Sequence, residues 1–346
     1  MKNVSQAIRE RRTIRKFSTR PVEQEGIVSL LNEAASLYEA EGTPHWRCLY
    51  FGTPESREAL AESMIARVKE SNLGKLLPAK MTGFLKKQIN STPAHIIFIA
   101  ESAETRRQRD ENYAAVCSIM QNVQLLGWEQ GLGMLWYTDP MFFNGSLFSK
   151  IGLREGERFA GMLEIGYFEK TPRARKRTPA EESWSIIGEE DKLHSEFNTV
   201  SPQNVLKLLN EAVWAPNDGM REPWRFIYVT GDQAAIKLRS SGEDASTPFL
   251  VVVAKEQSDP HKQDEDYAAV CCLIQNFQLL AKSEPWHLRR LIPEWIYDTK
   301  QCKSFGIRPR ERIVAVLELG GDKRVPDSVS APVFFEQFSR ENDHRR

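Results

Sequence analysis

Arg11, Arg12, Thr13 and Arg15 fall within five residues, in the stretch Ala-Ile-Arg-Glu-Arg-Arg-Thr-Ile-Arg-Lys-Phe from Ala7 to Phe17. A guanidinium is a rigid, permanently charged fork that grips phosphate oxygens in pairs, and a hydroxyl adds a neutral donor. The segment is therefore chemically suited to a phosphate monoester, although composition alone slightly favours a solvated basic face. Other chemistries are poorly represented. The six histidines form no His-Glu-x-x-His pair or other metal-ligand spacing, and there is no Gly-x-Ser-x-Gly nucleophile elbow. No metal site is expected. The five cysteines make no Cys-x-x-Cys pair and read as reduced, buried thiols.

The elements that must position these groups occur twice. Tyr113 to Leu126 recurs as Tyr267 to Leu280 with ten of fourteen positions identical, and at the same offset of 154 Glu157-Arg158 and Leu163 to Gly166 recur as Glu311-Arg312 and Leu317 to Gly320. Upstream, Leu30 to Ala34 answers to Leu208 to Ala212 and Trp46-Arg47 to Trp224-Arg225, at an offset of 178. The change of offset leaves the second copy about twenty-three residues shorter, mostly over the equivalent of Ser71 to Asn90. Each copy reads helix, strand, strand, long helix, strand. The two long helices are apolar on most of their circumference, which predicts burial between layers. Trp46 and Trp224 read as core. The expected organisation is a first domain over 1–170, a charged, Pro-rich connector over 171–197, and a second, trimmed domain over 198–346.

With Thr for Ser, Arg11-Arg12-Thr13-Ile14-Arg15-Lys16-Phe17 resembles the Arg-Arg-Ser-x-Arg-x-Phe segment with which the nitroreductase (flavin reductase) family holds the FMN phosphate. The family's Ala-Pro-Ser-x-x-Asn-x-Gln-Pro-Trp hallmark is similar to Ala215-Pro216-Asn217-Asp218-Gly219-Met220-Arg221-Glu222-Pro223-Trp224, with Asn217, Met220 and Glu222 as departures. Gly131 to Trp136 after the long helix and Glu164-Ile165-Gly166-Tyr167 follow in family order. The resemblance covers nearly the whole chain, once per repeat. It implies an α+β nitroreductase-like fold: two repeats, each a mostly antiparallel sheet flanked by helices, packed as an intramolecular pseudo-dimer.

The resemblance also implies a site. Arg11, Arg12, Thr13, Arg15 and Arg175 (from the cluster Arg173, Arg175, Arg177) would hold the phosphate. Pro216, Asn217, Asp218 and Gly219 would pack on the isoalloxazine, and backbone groups of Leu135, Trp136, Tyr137 and Thr138 would approach flavin N5. Lys86 and Lys87 are candidates for a basic residue near the pyrimidine. In the second repeat the arginine arm is replaced by Glu189 to Phe197 and the closing basic cluster by Gly320 to Pro326, whose acidic residues repel a dianion; the first repeat has Leu37-Tyr38-Glu39-Ala40 where the Ala-Pro-Ser loop is needed. The losses are complementary, so one FMN per chain is expected.

The implied activity is an FMN-dependent NAD(P)H oxidoreductase working by ping-pong on a small organic acceptor such as a nitro compound or quinone. Flavin N5 carries the chemistry and no protein group is assigned a catalytic role. The alternatives are another flavin enzyme on the same scaffold, a dehydrogenase or dehalogenase, or a non-catalytic flavin-binding pseudoenzyme. Lys plus Arg and Asp plus Glu both total 47, so no global field points to nucleic acid or an acidic membrane. The apolar runs are strand-sized, far short of the roughly 20 residues of a membrane span, and the first residues lack a secretory signal. A cytoplasmic chain, monomeric because the family dimer is fused, is the expectation.

Overall fold

The computed structural model describes residues 3–39, 44–70, 78–143, 145–188, 200–230, 247–320 and 335–337. They form two compact units. Residues 10–174 and the strand at 335–337 make the first; the second takes the described residues before Glu10 and those from Arg175 to Gly320.

In the first unit, α2 (Gln24–Ser36) leads to β1 (Trp46–Phe51), α3 (Pro54–Glu70), α4 (Ala79–Ser91), β2 (Ala94–Ala100), α5 (Arg106–Glu129), β3 (Leu132–Tyr137), α6 (Ser146–Lys150) and β4 (Arg158–Tyr167). Every residue of β1 and β2 is buried, as continuous apolar runs require when both sheet faces are covered. α5 starts at a capping box, Thr105 accepting from the Gln108 backbone N–H while the Gln108 side chain reaches back. The sheet order is β10-β1-β2-β4-β3, antiparallel except that β10 (Phe335–Gln337) runs parallel to β1. α5 lies against β2 and β3, with α2 packed on it. On the other face Leu49, Phe51, Ile97, Ile99 and Met162 pack with Leu60 and Met64 of α3 and with Phe142 and Phe143.

The second unit repeats this plan. β5 (Trp184–Ile187), α7 (Pro202–Ala212), β6 (Trp224–Val229), β7 (Phe249–Lys255), α8 (Pro260–Ala281), β8 (Leu288–Leu291), α9 (Thr299–Ser304) and β9 (Glu311–Leu319) give the order β5-β6-β7-β9-β8, with β5 parallel to β6. Ser201 and Asp259 cap α7 and α8, each followed by Pro at the first helical position. The register shifts at Phe98/Ile99 and at Val252/Val253, equivalent places in the two sheets. α1 (Val4–Glu10) docks on α7, Glu211 accepting from the Arg9 guanidinium and the Ser5 hydroxyl.

Two segments depart from the sequence reading. Within the expected connector, Ala180–Ser183 forms a 3-10 turn and Trp184–Ile187 a strand of the second sheet, while the strand at 335–337 joins the first sheet and not the second. These strands of four and three residues show no alternation to read, and their pairing is with distant chain. The acidic stretch Glu189 to Phe197 and residues 321–326 lie outside the described residues.

The repeated residue pairs prove to be repeated interactions. Arg47 donates through Nε and Nη2 to Glu157 at 2.8 and 2.7 Å and to the Gly152 carbonyl at 2.7 Å; Arg225 does the same to Glu311 at 2.9 and 2.6 Å and to Gly306 at 3.0 Å. Asn122 of α5 donates to the Ala34 carbonyl at 2.9 Å, and Asn276 of α8 to the Ala212 carbonyl at 3.1 Å. Arg47 and Glu157 are each only 3% exposed in their side chains. Burial pulls the Glu157 carboxyl upward, but bonds from Arg47 and from the Arg154 backbone N–H outweigh it and hold the group below its ordinary value. Its contribution is complete above the pKa of an unfolded glutamate and is lost as the pH falls through the lower folded value. Arg47→Met, which strands the buried carboxylate, is expected to cost about 3–5 kcal/mol at neutral pH. Urea denaturation measures this, and a loss under about 1 kcal/mol would mean that Glu157 re-pairs or is hydrated.

Candidate functional site

The arginine arm is fixed to the first unit at two points. Arg11 is 6% exposed, and its Nη1 faces Gln124 Oε1 of α5 at 3.5 Å. Next, Ile14 donates its backbone N–H to the Met134 carbonyl at 3.0 Å and Thr13 makes a parallel bridge to Met134, so the arm lies along β3. Gly133 permits the approach, since a Cβ there would come within 2.5 Å of the Ile14 side chain. Ser18 N–H closes the arm on the Tyr167 carbonyl at 2.7 Å. Arg12 is half-buried and burial lowers its pKa, while Thr13 and Arg15 are exposed.

The arm thus brings Arg11, Arg12, Thr13 and Arg15 to the strand that carries Leu135, Trp136 and Tyr137, with Thr138 following. Leu135 is buried. Trp136 is half-buried and donates Nε1–H to the Ala160 carbonyl at 3.1 Å; its ring occupies the space above Gly161, where a Cβ would lie 2.1 Å from Nε1. Tyr137 packs on Phe142 and Phe143, and burial, aided by Asp139 and Glu164, raises its hydroxyl pKa. Glu164, the register partner of Leu135, is a buried carboxyl on β4 that the sequence reading passed over as one residue of a repeated strand.

The Ala-Pro loop is a property of the second unit. Ala215 is buried, Pro216 and Asn217 half-buried, and Asp218 and Gly219 exposed. Gly219, Met220 and Glu222 all have left-handed backbone, φ being 58°, 58° and 45°. Two arginines hold this shape. Arg177 donates to the Val213 carbonyl at 3.1 Å and contacts Met220 Sδ; Arg221 bonds Asp218, Glu265 and Asp266 at 2.5, 3.0 and 2.7 Å. Asn217 Oδ1 accepts from the Glu222 N–H, and Glu222 in turn accepts from the Thr178 N–H. Arg175 is exposed on the same unit. The arm and β3 therefore come together in one unit, and the loop and Arg175 in the other.

Asymmetry extends beyond the motifs. Gln278 of α8, twin of Gln124, keeps a buried Oε1 with no partner among the described residues, where Gln124 accepts from Arg11. At the loop position of the first unit, Leu37 is helical and Tyr38 is buried. Lys86 is engaged by Glu58 at 2.5 Å and Glu62 at 3.4 Å, while Lys87 is exposed. Among the described residues there is no group of three His, Cys, Asp or Glu that could hold a metal, and no helix long and apolar enough to cross a membrane. Arg177 and Arg221 were legible only as charges, because the carbonyls and carboxylates they meet lie far off in sequence or in an irregular loop.

Residues 8–167 match the family model described as the nitroreductase family. YfhC of Bacillus subtilis (strain 168), provisionally named an NAD(P)H nitroreductase, is 33% identical over 172 residues, which are 50% of this chain and 88% of that protein. A nitroreductase-like family protein from Bacillus cereus is 35% identical over 54% of this chain and 96% of its own, with a TM-score of 0.49. The FMN and NADPH-dependent nitroreductase NfnB from Sphigopyxis sp. strain HMH is 16% identical over 50% of this chain and 95% of its own, with a TM-score of 0.40. Its identity to YfhC, over most of that protein's length, makes this chain a member of the nitroreductase family.

Proposed function

We propose that the chain is an FMN-dependent NAD(P)H oxidoreductase acting on a small organic acceptor, with one flavin per chain whose phosphate is held by the arm of the first unit. The observation that carries this reading is the arm itself. Its exposed Arg15 has no ion pair among the described residues, so that positive charge is left for a phosphate dianion, beside the guanidinium of Arg11 that faces Gln124. Bound FMN would supply hydride acceptance from the nicotinamide and electron delivery to the acceptor.

Each group then has a task. Arg11, Arg12, Thr13 and Arg15 bind phosphate, with Arg175 as a further cation; Arg11 and Arg12, being partly desolvated, need no large reorganisation to do so. Leu135 to Thr138 offer backbone groups to the ring, and Trp136 is held by Ala160 and cannot swing freely. Pro216 to Gly219 form a ring-facing surface whose shape Arg177 and Arg221 fix. Fusion of the two halves in one chain favours a monomer, and the balanced charge argues against a nucleic-acid partner.

Saturation with FMN followed by release and absorbance is expected to give one flavin per chain, and the double variant Arg11→Ala, Arg15→Ala is expected to lose it. Two flavins would overturn the single site, and none would overturn the flavin reading. Bound flavin that NAD(P)H fails to bleach without air would make the chain a flavin binder and not an enzyme. A separate prediction concerns the loop. Methionine in left-handed backbone is strained by about 1–2 kcal/mol, whereas the family's asparagine tolerates that region. Met220→Asn is expected to raise stability by roughly 0.5–1 kcal/mol in denaturant titration, less whatever the Arg177–sulfur contact contributes.

A further inference from the structure

Glu164 has no part in the flavin reading so far. It is 5% exposed in the middle of β4, with Leu135 of β3 on one side and His95 of β2 on the other. Its twin Glu318 has Arg289 of β8 in the position of Leu135, and Arg289 Nε bonds it at 2.6 Å. Leucine therefore stands where the other copy placed a cation. Among the described residues no Lys, Arg or His nitrogen lies within 4.0 Å of the Glu164 carboxylate.

The groups around it are few. Tyr137 on β3 stays neutral, with Asp139 acting on it from the end of the strand. Burial lowers His95 to about 4, so it too is neutral; its Nε2 meets the Ile89 carbonyl at 2.9 Å, and Arg57 of α3 acts on it from beyond. The arm runs along β3, with Ile14 bonded to Met134 next to Leu135, the register partner of Glu164, and Arg15 follows Ile14 as the cation whose field reaches both Glu164 and Tyr137. Burial pushes the Glu164 carboxyl up to about 7, with Arg15 opposing.

We propose that Glu164 is a positioning residue that sets how much of the Arg15 charge is available to a phosphate monoester, taking up a proton when the phosphate binds. The proposal rests on the arm being the phosphate site. A dianion and an ionised Glu164 compete for one exposed guanidinium. A bound phosphate therefore raises the Glu164 pKa, and by linkage phosphate affinity falls as the pH rises from the free pKa toward the bound one, by at most about tenfold per unit for one linked proton. Glu318, already paired with Arg289, offers the second unit no such exchange.

The test is FMN titration between pH 7 and 9, where the phosphate is doubly charged throughout, with riboflavin as the probe lacking phosphate. Wild-type affinity for FMN is expected to fall by roughly threefold or more across this range, against a flat profile for Glu164→Gln and for riboflavin. Equal slopes in wild type and Glu164→Gln, or an equal slope with riboflavin, would overturn the proposal. A second readout needs no flavin: the carboxyl stretch of Glu164, followed by isotope-edited infrared titration in wild type and in Arg15→Gln. Removing the exposed Arg15 charge is expected to raise the Glu164 pKa, and an unmoved pKa overturns the coupling even if Glu164→Gln does not fold. Failure of FMN to bind wild type at any pH would instead sink the flavin reading, leaving the infrared result to judge the pair.

Discussion

A helix buried around nearly its whole circumference must give every polar side chain a partner, because an unmatched amide in an apolar layer costs several times what a hydrogen bond returns. α5 is such a helix, buried from Asn112 to Gly127, and two of its buried amides, Asn122 and Gln124, make bonds in directions that organise the unit, although the Asn122 oxygen and the Ser118 hydroxyl find no partner among the described residues. Asn122 bonds the Ala34 carbonyl and fixes α2; Gln124 receives Arg11 and fixes the arm, which then lies along β3. In the second unit Asn276 bonds the carbonyl of Ala212, three residues before the Ala-Pro loop opens. One kind of contact therefore fixes the arm within the first unit and the helix before the loop within the second.

Much of this was legible in the sequence, for identifiable reasons. The repeated Gln-Asn-x-Gln of the long helices marks a requirement that both copies share, and Trp46-Arg47 with Glu157 recurs because a buried Arg cannot be kept without its Glu. Continuous apolar runs gave β2 and β7. Pairing across long separations was hidden: nothing within Trp184–Ile187 or Phe335–Gln337 says which sheet each enters. The site was half visible. Arg11 to Arg15 stand out as a cluster, but Arg177 looked like one more cation in a basic run, and only the fold shows it holding the carbonyl that ends α7. Glu164 was invisible because its distinction is the residue across from it, Leu135 in place of an arginine, which no reading along one strand reveals.

Divergence between the copies follows the same physics. The paired Arg and Glu and the helix-end Asn persist in both, since losing either leaves a buried group stranded. Groups without such a buried partner are under no such constraint. Gln278 keeps its place and its orphaned oxygen, and β8 carries Arg289 and Arg290 where β3 has Leu135 and Trp136. The second copy keeps the internal bonds of the first while the residues on its edge strand differ.

The strand Phe335–Gln337 pairs with β1, near the other end of the chain. During synthesis β1, β2, β3 and β4 are all made by Tyr167, and β1 then waits as an open edge while about half the sequence is still to be made, on the order of ten to thirty seconds at 5–20 residues per second. The sheet made first is thus the one completed last. An unpaired edge with buried-type residues on both faces is a template for the wrong partner, including the same strand of a neighbouring nascent chain. The arrangement that brings Phe335–Gln337 to β1 across this long separation also makes that late strand the step that ends the exposure of the edge to misassembly.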